Sequence, residues 1–547
     1  MKLADKPIYA LDMETDPFEF GLEVKPFSCG LWTGSIGKGY YQTWGNNCVP
    51  EMKKILDELP PGIVYAHNGG KFDLYFCLKD NWVVMYNTEL DGHQKSFLTI
   101  TNGRIIKAYI WGVGTEVRHE FRDSMAIMPF ALKKYKKDVI DYRTFTKAER
   151  SKNKKPIQAY QKSDCKYLHE LCVSFRERFG DNLTIGSTAM KQLKKLHKFD
   201  TLERTIDLSL RARYFYGGRV QCFENGIIEP SQGEEIIYYD LNQCYPSVMR
   251  NMMHPVSVPD TRVGNEITNR TYFVTVYGTN HNAFPMRTKN GLTFASERGI
   301  YSVSIHEYNA AVECGMFECE DIIECVNFER AITFDKFVDK FHKLRKEAQL
   351  NSDDMGKEFY KYICNSAFGK FAQNPENYFN YWMTDCNTDI RNLGYYMDTI
   401  DKDNNIVLWK KPAPNSNRYN VATGASITGG ARSLLIRAIA KAKRPLYCDT
   451  DSLTCESLSG VPIDEVTLGA WKIECKGNMM AIAGRKTYAI FDGKKCVKMA
   501  SKGAVLTPEQ IVSIAQGGEV TWDKPSPIFD MKKQRTKFLS RTIRKTV

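Results

Sequence analysis

The sixteen cysteines include no Cys-x-x-Cys pair and no Cys/His group at zinc spacing. That excludes a zinc module and a disulfide framework, and it predicts a reducing compartment. No apolar run reaches the ~18 residues a membrane span needs, so no membrane partner is expected. A charged start followed by an apolar run is also missing, and with it any sign of a secretory leader. There is no internal repeat and no extended low-complexity segment, which excludes a repeat array.

What is present is an ordinary globular composition, 43% hydrophobic and 26% charged. The 547 residues are too many for one core and predict three or four compact units. The net charge of +12 predicts a polyanionic partner. Near the C-terminus Lys532, Lys533, Arg535, Lys537, Arg541, Arg544 and Lys545 face only Asp530, a composition that suits a phosphate backbone as well as a solvated face.

Two groups of carboxylates carry chemistry. In the first, the strand-like Ile8-Tyr9-Ala10-Leu11 runs into Asp12-Met13-Glu14-Thr15, so Asp12 and Glu14 share a face. Tyr65-Ala66-His67-Asn68-Gly69-Gly70-Lys71-Phe72-Asp73 reads as strand end, glycine turn and helix start, and Tyr160-x-x-x-Asp164 has helical spacing. Four carboxylates of this kind can hold two divalent ions that activate a water for phosphodiester hydrolysis, with Tyr160 placed to orient it.

In the second group, Ile236-Ile237-Tyr238-Tyr239 leads into Asp240, and Tyr447-Cys448-Asp449-Thr450-Asp451-Ser452 puts two carboxylates at a strand-turn-strand corner. Such a set suits Mg²⁺, a hard ion that bridges to phosphates, and phosphoryl transfer then also requires cations. Lys357 and Lys361 supply them, and Asn365 and Phe368 prolong the same helical stripe at about 100° per residue, with Gly369 expected as the helix stop.

The ordered set Asp-x-Glu, Asn-x-x-x-Phe-Asp and Tyr-x-x-x-Asp resembles the three motifs of proofreading 3′→5′ exonuclease domains, an RNase H-like fold. The resemblance implies that Thr15, Asn68, Phe72, Ser124 and Met125 hold the single-stranded 3′ end, and that Lys137 assists exonucleolysis. Asp240-Leu241-Asn242-Gln243-Cys244-Tyr245-Pro246-Ser247, Lys361-x-x-x-Asn365-Ser366-Ala367-Phe368-Gly369-Lys370 and Tyr447-Cys448-Asp449-Thr450-Asp451-Ser452 resemble motifs A, B and C of family B DNA polymerases. That likeness implies Asp240, Asp449, Asp451 and the Leu241 carbonyl as ligands of two Mg²⁺ ions, with Mn²⁺ able to substitute. The exonuclease site would hold two more through Asp12, Glu14, Asp73 and Asp164. It further implies Tyr245 beneath the incoming sugar, excluding a 2′-hydroxyl, and Lys357, Lys361 and Arg345 on the triphosphate. Asn365 and Phe368 would line the nascent base pair. Tyr216-Gly217-Gly218 is similar to a linker that contacts template, and Thr428, Arg432, Lys486 and Tyr488 to primer-strand contacts. Two departures stand out: Phe368 replaces a usual Tyr, removing its hydroxyl, and Phe215 takes the first place of Tyr-x-Gly-Gly.

The first exonuclease motif begins at Asp12, the intervals between motifs A, B and C are long, and Cys448 stands in motif C. These features resemble the small protein-primed polymerases of phages and linear plasmids. The expected fold is α/β and multi-domain: an RNase H-like exonuclease domain (1–183) ahead of a right-hand polymerase of palm, fingers and thumb. Residues 184–259 would start the palm, and 260–332 would be an insertion contacting priming protein and duplex. Residues 333–373 would be the fingers, and 374–420 a second insertion for processivity and strand displacement. Residues 421–495 would complete the palm and 496–547 the thumb. Within the second insertion Asp401-Lys402-Asp403-Asn404-Asn405 reads as a hairpin tip and Pro412 to Asn417 as a return linker. The expected partners are DNA template and primer, dNTPs, a terminal (priming) protein and a single-stranded DNA-binding protein. The expected location is host cytoplasm, or an organelle for a linear plasmid. A DNA-primed enzyme of the same build, and a catalytically dead clamp or packaging protein, remain as alternatives.

Overall fold

The computed structural model describes residues 6–18, 24–79, 98–101, 104–111, 117–261, 264–289, 291–377, 379–402, 405–412, 419–523, 528–530, 535–537 and 540–544. Lys532, Lys533 and Lys545 of the basic tail, Asp403 and Asn404 of the expected hairpin tip, and 413–417 of the expected return linker lie outside these residues.

The N-terminal unit starts with an antiparallel meander of β1 (Ile8–Thr15), β2 (Pro26–Trp32) and β3 (Tyr40–Trp44). After α1 (Cys48–Glu58), β4 (Ile63–Ala66) pairs parallel with β1. Then come α2 (Asp73–Lys79), β5 (Leu98–Thr101), β6 (Arg104–Trp111) and β7 (Val117–Asp123), with β7 parallel to β4, and α3 (Lys154–Phe179) against β1 and β2. This is the α/β arrangement expected of an RNase H-like unit.

α4 (Ile185–Lys194) and α5 (Arg204–Tyr214) lead to β8 (Val220–Cys222), β9 (Gly226–Ile228), β10 (Ile236–Leu241) and α6 (Cys244–Asn251). The first insertion is closed at its base where β11 (His254–Pro255) pairs with β17 (Ala331–Ile332). Between them lie β12 (Thr271–His281), the hairpin β13 (Met286–Thr288) and β14 (Gly291–Thr293), β15 (Ser296–Ser304), α7 (Ile305–Glu313) and β16 (Phe317–Asn327). The segment expected to be the fingers holds α8 (Asp335–Leu350) and α9 (Asp354–Phe371). α9 runs through Gly369, which is therefore no helix stop: Phe371, fully buried, anchors the turn beyond it, and core packing outweighs the ~1 kcal/mol cost of an internal glycine.

The second insertion, β18 (Phe379–Thr384), β19 (Tyr396–Asp401) and β20 (Ile406–Pro412), contains the expected hairpin, with Asp401 opposite Ile406. It is not a separate unit. β18 pairs antiparallel with β5, which makes one ten-stranded sheet of the exonuclease unit and the insertion. α10 (Val421–Lys441) precedes β21 (Ala442–Asp449), β22 (Ser452–Leu458) and β23 (Trp471–Gly477), and the palm sheet runs β23-β10-β22-β21-β8. β24 (Met479–Gly484), β25 (Thr487–Asp492) and β26 (Lys495–Ser501) join β9 in a further sheet, covered by α11 (Pro508–Ala515). A palm–thumb boundary at 495/496 therefore cuts into a continuous sheet. No helix among the described residues is long and apolar enough to cross a membrane.

Candidate active sites

On β1 side chains alternate, so Asp12 and Glu14 leave the sheet on one side while Met13 is buried on the other. Asp73, the first residue of α2, accepts the Met13 N–H at 3.0 Å, which ties motif two to motif one. Asp164 projects from α3, with the Lys137 ammonium 3.3 Å away. Burial, and then the charge of Asp164, pushes the Asp12 carboxyl up to about 7. Burial followed by the charge of Asp12 raises both Glu14 and Asp73. Asp164 is also raised by burial, against the pull of Lys137 and a hydrogen bond from Tyr160. Asp12 Oδ2 and Asp164 Oδ1 are buried without a hydrogen-bond partner. A cavity of about 500 Å³ opens here, lined among others by Asp12, Asn68, Met125, Lys137, Tyr142 and Asp164.

Tyr160 is buried, with its hydroxyl 3.2 Å from that of Tyr142. Asn68 takes a left-handed conformation (φ 63°) at the cavity rim, Thr15 is buried at the end of β1, and Phe72 packs edge-on against Phe76. Ser124 is a correction: its hydroxyl is sealed below the surface between His67 (2.9 Å) and the Ala66 carbonyl (3.4 Å), leaving nothing to offer a DNA strand. Gln161 was missed. It donates to the Asp12 carbonyl at 3.0 Å and accepts from Ser28 and Gln42, both at 2.7 Å, and so fixes α3 on β1. Its position beside Tyr160 on the Asp164 helix was the available signal.

The second site sits where β10 meets the β21–β22 corner. Asp240 lies opposite Ser452, and the Leu241 N–H donates to the Asp451 carbonyl at 2.7 Å. Thr450 takes φ 61°, and the turn is closed from the Asp451 N–H to the Asp449 carbonyl at 2.7 Å. The three carboxylates are not equivalent. Asp449 holds the Lys486 ammonium at 2.6 and 2.7 Å. Burial raises Asp240 against the pull of Lys472, whose ammonium stands 3.4 Å away. Asp451 is ion-paired with neither lysine, and burial, then the charge of Asp240, pushes it up to about 6 against the weaker pull of Lys486. Lys472 was missed; the alternation Lys472, Glu474, Lys476 on the strand beside β10 was its only trace. Among the described residues no three such ligands are already gathered around a cation-sized point in either site.

Facing this corner, Lys357, Lys361, Asn365 and Phe368 all lie on α9, and Arg345 lies on the neighbouring α8. Burial, and then Arg345, Lys134 and Lys472, hold Lys361 below its ordinary value, opposed by Glu358. Asn365 Oδ1 is buried and unpartnered. The Tyr245 ring stacks on Phe368, centroids 3.8 Å apart and 19° from parallel, so the two predicted walls of the nucleotide site are in contact.

Three DNA-contact expectations are corrected. Arg432 is 1% exposed, and its guanidinium grips Glu307 at 2.6 and 2.8 Å and the carbonyls of Tyr216 and Gly217 at 2.7 and 2.6 Å. Thr428 is buried one turn earlier and donates to the Ala425 carbonyl. Gly429 and Gly430 lie between them because α10 is crossed closely: a Cβ there would come within 2.1 Å of Ser304 Oγ and 2.6 Å of Val248 Cγ1. Tyr488 is buried beside Tyr447, centroids 4.8 Å apart. Lys486 is engaged by Asp449. The linker lies against motif C instead: the Thr450 N–H donates to the Arg219 carbonyl at 2.7 Å, and a Cβ on Gly218 would be 2.5 Å from Thr450 Oγ1. Tyr216 is held by Arg287, 4.4 Å above its ring.

Residues 132–460 match the family of DNA polymerases type B, organellar and viral. The DNA-directed DNA polymerase of Enterobacteria phage PRD1 is 40% identical over 583 residues, covering 100% of this chain and 99% of that one. The DNA polymerase of Bacillus phage phi29 is 25% identical over 548 residues, 89% of this chain and 87% of its own. The solved structure of the phi29 enzyme complexed with primer-template DNA shares the fold, with TM-score 0.72 at 19% identity over 99% of this chain and 100% of that one.

Proposed function

The chain belongs to the organellar and viral type B DNA polymerases, in the protein-primed group of small phages and linear plasmids, and from that premise we propose how this DNA-directed DNA polymerase works. It extends a protein-linked primer on a linear viral or plasmid genome, displaces the strand ahead, and proofreads at a separate 3′→5′ exonuclease site. Two acidic centres on two different sheets carry this reading. One is built from β1, α2 and α3, the other from β10 and the β21–β22 corner.

The donor sets fit divalent ions, because burial and then neighbouring carboxylates raise Asp12 and Asp451, and in the first site Asp12 and Asp164 each leave a buried oxygen without a partner; a hard cation relieves both. Asp12, Glu14, Asp73 and Asp164 would hold two Mg²⁺ in the first site, and Asp240, Asp449, Asp451 and the Leu241 carbonyl two in the second, with Mn²⁺ able to replace them. The chemistry such ions supply is a lowered pKa for a water or a 3′-hydroxyl and neutralised charge on the leaving oxygen. The chain's own groups do the rest. Lys361, Lys357 and Arg345 offset the triphosphate charge. Tyr245 on Phe368 floors the sugar pocket and leaves no room for a 2′-hydroxyl. Tyr160 orients the hydrolytic water, and Lys137 keeps Asp164 charged.

The partners are template and primer DNA, dNTPs, a terminal protein and a single-stranded DNA-binding protein, met in the cytoplasm of a host cell. The solved phi29 complexes with primer-template DNA and with incoming nucleotides support the first two. Asp451→Asn should abolish incorporation and spare degradation of a 3′ single strand, while Asp12→Ala with Glu14→Ala should do the reverse. Loss of both activities through one change would contradict two separate sites. Transfer of a labelled dNTP to a candidate terminal protein without any DNA primer tests the priming mode.

A further inference from the structure

The nucleotide helix α9 does not stand free of the exonuclease unit. Its N-cap Asp353 accepts the Gly356 N–H at 2.9 Å and also receives Arg178 of α3 at 2.7 Å. The same guanidinium reaches the Tyr360 hydroxyl at 3.3 Å. Phe359 is buried against Phe175 and Phe179 of α3, with ring centroids 5.5 and 6.1 Å away. One turn on, Tyr362 stacks on Phe130 at 5.4 Å, and the Lys134 ammonium donates to its hydroxyl at 3.3 Å. Lys134 closes the short turn Leu132–Lys134, three residues ahead of Lys137 on Asp164. Ala131, Leu132, Lys133 and Lys137 line the exonuclease cavity, and Tyr362 directly follows Lys361. One short segment therefore borders one site and touches the helix that serves the other.

We propose that Lys134 is a positioning residue for the incoming nucleotide, and that its joint with Tyr362 couples α9 to segment 131–137, so that occupancy of either site shifts the other. The inference rests on the two-site reading above. An exposed lysine–tyrosine contact alone is worth little; this one lies on an interface already fixed by the Phe130 stack and the Arg178 clamp. A triphosphate that draws Lys361 toward the acidic corner moves Tyr362 with it. Lys134 then follows and carries Lys137 relative to Asp164, or lets go and frees the segment. Such coupling between sites is reciprocal, and the element both sites bias is α9.

A double-mutant cycle on the full chain tests it, with Lys134→Met, Tyr362→Phe and the pair. The readings are the dNTP KM in primer extension, and the rate of 3′ single-strand degradation with no nucleotide present. Lys134→Met should raise the dNTP KM roughly five-fold with kcat held. Tyr362→Phe, which keeps the ring stack, should change the degradation rate from a position outside the exonuclease cavity. The double variant should show less than the product of the two single effects. Lys136→Met, a neighbouring lysine that pairs with Glu170 instead, should leave the dNTP KM alone. Multiplicative single effects, or a dNTP KM indifferent to Lys134→Met, would overturn the coupling and leave the two-site reading standing. A parent chain without one of the activities would sink that reading, and the coupling with it.

Discussion

Asp449 and Asp451 stand two residues apart in the chain, yet Lys486 neutralises one while the other, ion-paired to no lysine, feels burial and the charge of Asp240. That difference has a thermodynamic sign. The folded chain holds the Asp451 proton up to about 6, whereas the ordinary carboxyl value is 3.8. Between those values the folded state binds more protons than the unfolded one, so stability falls as pH rises through the window and stays lower above it. Asn mimics the protonated acid. In EDTA, Asp451→Asn should therefore melt higher than the parent at about pH 8, with the gap closing near pH 4. Mg²⁺ should shrink the gap at the higher pH, because the parent gains more at this site while both chains gain alike at the first acidic site. A gap independent of pH and metal, read by thermal melting, would refute the assignment. A second prediction at this scale concerns Glu307. Its pair with Arg432 is almost wholly buried, 0% and 1% exposed, whereas Glu313 meets Arg437 at the surface, 62% and 30% exposed. Glu307→Ala should cost about 3–5 kcal/mol in denaturant unfolding, and Glu313→Ala far less, because solvent screens its pair.

At the scale of elements, the sequence showed what is local. Asp12 and Glu14, or Asp449 and Asp451, lie on short contiguous stretches, so their grouping follows from strand geometry alone. Arg432, Thr428, Ser124 and Tyr488 looked equally available as letters, and only tertiary packing removes them from the surface. Gly429 and Gly430 stand in the stretch expected to contact the primer strand. They make room instead for α7 and α6 against α10. Gly218 shows the same logic with a testable result, because it presses on the turn between the two carboxylates of motif C. Gly218→Ala puts a methyl group 2.5 Å from Thr450 Oγ1, so Thr450 or the linker must move. A displacement of about 1 Å at reacting groups can cost on the order of 100-fold. Primer-extension kcat should drop on that order, while single-strand degradation, whose carboxylates lie on other elements, should stay within about two-fold. Equal losses in both would place the effect in global stability rather than in the turn.

Over the whole molecule, the units read from the sequence are not the units that pack. One core runs from Ile8 and Phe175 of the exonuclease unit through Phe359 of the fingers to Cys448 and Leu453 of the palm. A second joins Leu11, Val64 and Phe121 of that unit to Trp382, Tyr395 and Trp409 of the second insertion. Sequence motifs fixed the order of these pieces but could not reveal the pairing of β18 with β5, because backbone hydrogen bonds leave no mark on residue type. The consequence is measurable. If 374–420 were an independent module for strand displacement, replacing 379–412 with a short Gly/Ser linker would leave the exonuclease unit intact. The shared sheet predicts otherwise. The replacement bares the edge of β5 and uncovers one side of the second core, at about 1.5–3 kcal/mol for each large side chain that loses its cover. The shortened chain should melt well below the parent, lose most of its single-strand degradation as well as strand displacement, and still add nucleotides to a short primed template at low temperature. Unchanged degradation and an unchanged melting curve would show that the insertion is an appendage after all.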